Sequence, residues 1–175
     1  MTQQQTYTAF LGGAVVAAGA PARVTAAIAG QGGDARRALI FSDRTGDQAR
    51  LTGSGEIEGA AAGEDVSGPV TLQIRVLARH ARWLEAQSGG ASASVRRLVE
   101  AARRDPAQLV LEARDAAYRF MAMMAGDFPG YEEACRALFA GDGARFDVAA
   151  AGWPVDVRAY GRRLAGPALS RPVPG

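Results

Sequence analysis

Thr71, Gln73 and Arg75 alternate with Val70, Leu72, Ile74 and Val76, so the Val70–Val76 stretch is a strand with one apolar and one polar face. The three polar side chains suit the reading of nucleic-acid bases. Arginine can bond guanine O6 and N7 bidentately, glutamine can do the same to adenine N6 and N7, and threonine offers a hydroxyl or a methyl. Farther along, Gly89-Gly90 precedes Ser92 and Ser94, a place where a helix could begin and hold a phosphate on its free N–H groups. Arg96 and Arg97 would add phosphate contacts. Each feature also has an ordinary reading: any edge strand shows a polar face, serines cap helices, and arginines solvate them.

Two helices after the strand must carry it. Helical periodicity places Leu77, Ala81 and Leu84 on one face of a helix near Leu77–Gln87. A second helix near Ser92–Arg104 has Val95, Leu98, Val99 and Ala102 on one face. The chain of 175 residues has a net charge of +2, and every one of its 20 basic residues is arginine. That bias is a weak signal by itself, whereas its distribution is informative. Between Val70 and Arg104 seven arginines face only Glu85 and Glu100, a local charge of +5, while the rest of the chain sums to −3.

Before this segment, Tyr7–Leu11 and Ala14–Ala18 are β-prone and joined by Gly12-Gly13, a hairpin turn. Pro21–Ala29 comes next as a short helix, then strands over Ala38–Ser42 and Gln48–Thr52 about an Asp43–Gly46 turn. The result is a ββαββ unit over residues 1–54, too small for an independent core and therefore expected to pack on other parts of the chain. Residues 55–69 read as an acidic Gly/Ala linker. Residues 70–104 form the strand-helix-helix segment and residues 105–165 a helical bundle, with helices starting at Asp105-Pro106, Tyr131, Ala144 and Val155. From Gly166 to Gly175 a Pro-rich tail is expected to be disordered. The fold class is α+β.

Other reactive residues have packing or capping readings. His80 and Trp83 read as packed side chains, Trp153 as an anchor, and Cys135 as a small buried group; Asp127 and Asp142 read as caps of the next helix. A single cysteine beside a single histidine gives no disulfide and no metal site. Neither a phosphate-cradling glycine loop nor a nucleophile with an evident base is present, so neither catalysis nor a cofactor is expected. No apolar run is long enough to span a membrane and the amino terminus lacks a secretory pattern, so the expected location is a bacterial-type cytoplasm.

Two resemblances add to this reading. Residues 70–104 resemble a ribbon-helix-helix module, in which two chains pair their strands into a ribbon that lies in the DNA major groove. The resemblance implies a homodimer, base contacts from Thr71, Gln73 and Arg75, and phosphate contacts from Ser92, Ser94, Arg96 and Arg97. The stretches TYTAFLGG, RHARWLEAQSGGAS, AAYRFMAMMAGDFPGYEEACRALFAGD and WPVDVR resemble a bacterial domain-of-unknown-function family, number 2239, over nearly the whole chain. That family is expected to have proline where Ala78 stands and a basic stretch where this chain has its acidic linker. Taken together, the expectation is a cytoplasmic, homodimeric DNA-binding protein and transcriptional regulator. The alternative is a non-catalytic protein-interaction or scaffolding module.

Overall fold

The computed structural model describes residues 5–52, 55–58 and 71–170. Two compact units emerge: one formed by Met1–Ala62 together with Val110–Gly175, the other by Gly63–Leu109.

In the first unit, β1 (Tyr7–Leu11) and β2 (Ala14–Gly19) form a hairpin about Gly12 and Gly13, whose φ angles of 59° and 89° are those of a primed turn. Helix α1 (Pro21–Ala29) starts on its proline as expected, and a short 3-10 turn over Gly32–Arg37 leads into β3 (Leu39–Ser42). Strand β4 (Gln48–Ala49) completes an antiparallel sheet of order β2-β1-β3-β4. The expected return strand over Gln48–Thr52 shortens to these two residues, and Leu51 then bridges to Ile57.

Alternation along the strands sends side chains to two different cores. Tyr7, Ala9 and Ile40 pack with Val24 and Ile28 of α1 and with Ile57, whereas Phe10 and Phe41 point into a helical core on the opposite face. This corrects the start expected for the acidic linker. Ile57 is buried, and the Glu58 N–H donates to the Arg50 carbonyl at 2.7 Å, so residues 55–58 belong to the sheet unit. The remainder of the expected linker, residues 59–69, lies outside the described residues.

The helices of this unit are α4 (Pro106–Met124) from Val110 onward, α5 (Tyr131–Ala140), α6 (Gly143–Ala149), α7 (Val155–Leu164) and α8 (Gly166–Leu169). Asp105 Oδ1 accepts from the Ala107 N–H at 2.9 Å and Asp142 Oδ1 from the Arg145 N–H at 2.9 Å, the two caps the sequence implies. Asp127, by contrast, is exposed, and Gly130 is the cap residue of α5. Trp153 is a buried anchor whose Nε1 donates to the Pro129 carbonyl at 3.0 Å. Cys135 is half-buried against the helical core.

The tail expected to be disordered from Gly166 is instead helical up to Leu169. Pro167 occupies the first turn, where its missing N–H costs nothing, and Ala168 and Leu169 are buried in the core. Residues 171–175 lie outside the described residues. Four rings tie sheet to helices: Phe10 and Phe41 meet Phe120 of α4 at 5.5 and 5.0 Å, and Tyr160 of α7 sits 4.6 Å from Phe120. The sheet unit is therefore packed on the bundle, as its small size requires.

The second unit contains α2 (Ala78–Glu85) and α3 (Gly90–Arg104). Among the described residues, no helix is long and apolar enough to cross a membrane.

Candidate nucleic-acid interface

Helices α2 and α3 are amphipathic, yet pairing them leaves much of their apolar surface uncovered. Ala81, Leu84 and Val95 are half-buried, while Leu77, Trp83, Leu98 and Val99 are exposed. Among the described residues from 71 to 109, Ser94 alone is buried. A helix pair without a hydrophobic core is not a self-sufficient fold, because chain entropy goes uncompensated. His80 and Trp83, expected to be packed, are both exposed in the single chain.

Thr71 to Leu77 precede α2 and carry no secondary structure, so the expected strand is not formed within one chain. The reason is local. A strand exists only where a neighbour supplies ladder partners, and no such neighbour occurs among the described residues. Both faces of the segment are consequently open. Leu72 is 80% exposed and Ile74 65%, far above what large aliphatic side chains show beside a core. Thr71, Gln73 and Arg75 are exposed as well. Val70 lies outside the described residues.

The phosphate-binding set is only partly where the sequence places it. Helix α3 starts at Gly90, after Gly89 with φ 87°, so it begins two residues before Ser92. The Gly90 N–H already donates to the Gln87 carbonyl at 2.9 Å, so the first-turn donors the helix leaves over are those of Ala91 and Ser92. Ser94 lies inside the helix, 1% exposed, and its Oγ accepts from Arg97 Nη2 at 3.1 Å. Its hydroxyl is thus an internal packing group that orients Arg97. Arg96 Nε leans back on the Ser92 carbonyl at 3.4 Å.

Charge is distributed unevenly over the exposed surface. Arg103 and Arg104 share Glu100, at 3.3 and 3.7 Å. Among the described residues Arg75, Arg79 and Arg82 have no carboxylate at ion-pairing distance. Residues 71–82 therefore present three unneutralised guanidinium groups beside an uncovered apolar row.

A second polar cluster belongs to the first unit and was not legible in the sequence. Asp43 Oδ1 accepts from Thr8 Oγ1 at 2.7 Å, from the Tyr160 hydroxyl at 2.9 Å and from Arg163 Nη2 at 2.9 Å. Burial pushes the Asp43 carboxyl up, but hydrogen bonds from Thr8, Thr6, Arg163 and Tyr160 outweigh it and hold the group below its ordinary value. Burial, and then the Asp43 charge, push the Tyr160 phenol up. Tyr160 donates from the buried side and the exposed Arg163 from the solvent side, so the cluster is a latch between sheet and α7. Among the described residues, no group of three histidine, cysteine or acidic side chains could hold a metal ion.

Fold and surface together define an α+β protein in which a helix pair with an unpartnered apolar face separates, in sequence, the two parts of a layered sheet-and-helix unit. The chain belongs to the family described as "Uncharacterized protein conserved in bacteria (DUF2239)", which matches residues 60–165. The match takes in the helix pair and the bundle and begins beyond the amino-terminal sheet, a shorter span than the resemblance over nearly the whole chain suggests. No curated protein and no solved structure matches the chain.

Proposed function

We propose that this protein is a homodimeric DNA-binding protein of the bacterial cytoplasm, a transcriptional regulator in which the 70–76 segments of two copies pair and present Thr71, Gln73 and Arg75 to bases. One observation carries the reading: residues 71–76 are exposed, apolar row and polar row alike, in a unit that buries no apolar side chain among the described residues. Pairing with a second copy would bury Leu72, Ile74 and Val76 against Leu98 and Val99 of both chains and leave the polar row facing outward. Arg75, Arg79 and Arg82, free of ion pairs among the described residues, supply the charge that a phosphate backbone would neutralise. Ala91 and Ser92 N–H groups, with Arg96 and Arg97, are the corresponding phosphate donors.

Salt is the discriminating variable. Binding of a duplex DNA, followed by fluorescence anisotropy, should fall by roughly a hundredfold or more between about 50 and 200 mM salt, because condensed counterions are released. A dimer that retains no DNA even at low salt overturns the reading. The exposed Trp83, a residue type favoured at binding hot spots, would then favour a non-catalytic protein-interaction module built on the same dimer.

A further inference from the structure

We propose that the groove between α6 and α7 binds the dianionic phosphate of a small phosphomonoester, a site independent of the DNA reading. The groove has a volume of about 280 Å³ and is lined by Asp147, Arg158, Ala159 and Arg162. Arg158 and Arg162 stand four residues apart on α7 and so share one face, where two like charges repel unless an anion joins them. Asp147 neutralises only one.

Both guanidinium groups are anchored by one acceptor each. Arg162 Nε donates to Asp147 Oδ1 at 3.0 Å, and Arg158 Nη1 reaches the Ala151 carbonyl at 3.4 Å. Each guanidinium has five N–H donors, so most remain available after these contacts. The neighbouring Arg163 is different: it bonds Asp43 and lies 4.5 Å over the Tyr160 ring, turned away to the sheet. Arg162 Nη2 lies 3.1 Å from where a Cβ on Gly143 would be, so the glycine leaves that guanidinium the room it occupies.

The remaining charge of the groove is +1, and its two forks match an anion with several terminal oxygens. A phosphate dianion can bridge both forks, whereas a carboxylate repeats what Asp147 already supplies. The volume falls just below the range of about 300–1,000 Å³ typical of drug-sized ligands, which limits the group carried by the phosphate to a small one.

Titration calorimetry of the full chain with glycerol 3-phosphate and with inorganic phosphate, at constant ionic strength, tests the site. Saturable binding is expected with both. Arg162→Lys, which keeps the charge and loses the fork, should weaken it about tenfold. Ala159→Phe, at an exposed position, should abolish binding while sparing both arginines. Arg145→Gln, outside the groove, should bind as wild type. The proposal is overturned by absence of saturable binding to the folded wild type, by unchanged affinity in Ala159→Phe, or by an equal loss in Arg145→Gln. Loss of duplex DNA retention in Arg158→Gln, with no phosphomonoester binding to wild type, also overturns it and identifies the DNA backbone as the phosphate source.

Discussion

The Tyr160 hydroxyl donates to Asp43 Oδ1 at 2.9 Å across 117 residues of sequence, fastening α7 to the turn at the end of β3. Thr8 and Arg163 converge on the same oxygen, so a single carboxylate joins the edge of the aromatic core to the sheet.

Asp43→Asn should lower stability by about 2 kcal/mol, because hydrogen bonds to a charged acceptor exceed those to a neutral amide. The lowered carboxyl sets the sign with pH. Its contribution is fully present above the unfolded carboxylate value and is lost as pH falls through the lower folded value. Urea unfolding at pH 7 and over the acid range should show wild type losing this increment in acid and Asp43→Asn having none to lose. Equal slopes in the two proteins would refute the assignment.

Gly46→Ala should cost about 3 kcal/mol or more. Gly46 has φ 69°, and a Cβ there would fall 1.9 Å from the Ala116 carbonyl oxygen of α4, an atom of helix backbone that cannot rotate away. Thermal unfolding of the variant measures the effect, and a near-native melting temperature would contradict the close approach.

Ile74→Glu combined with Leu98→Glu should convert the expected dimer to monomer in sedimentation experiments, since burying unpaired carboxylates in the new interface costs several kcal/mol. The first unit, with its own core, should keep its stability. A wild-type chain that sediments as a monomer at all concentrations would remove the paired ribbon.

Arg75→Ala should flatten base preference more than it reduces overall affinity for DNA, whereas Arg96→Ala should weaken all sequences alike and lower the salt slope by about one per site. Competition assays with a selected and a scrambled duplex separate the two effects.

The elements best legible in the sequence are those fixed by neighbours along the chain. Gly12-Gly13 identifies the hairpin, Asp105-Pro106 and Asp142 mark helix starts, and α5 and α7 begin at Tyr131 and Val155 as expected. Contacts between distant segments were not legible. Asp43 reads as an ordinary turn residue, and nothing local links it to Thr8, Tyr160 or Arg163. Pro167 reads as a breaker but serves as a first-turn residue, because the core offers Ala168 and Leu169 a place to bury. At 70–76 the alternation is plain, but pairing depends on groups supplied from elsewhere. The exposure of Trp83 and Leu98 in the single chain adds what the pattern alone lacks, an apolar surface still seeking cover.

The first unit is built from Met1–Ala62 and Val110–Gly175, so it is discontinuous along the chain. Phe10 and Phe41 leave the ribosome more than a hundred residues ahead of Tyr160, which completes their aromatic cluster. Phe120 of α4 shelters those rings first and Tyr160 of α7 completes the cluster, so the first unit closes only after a long loop has been drawn in.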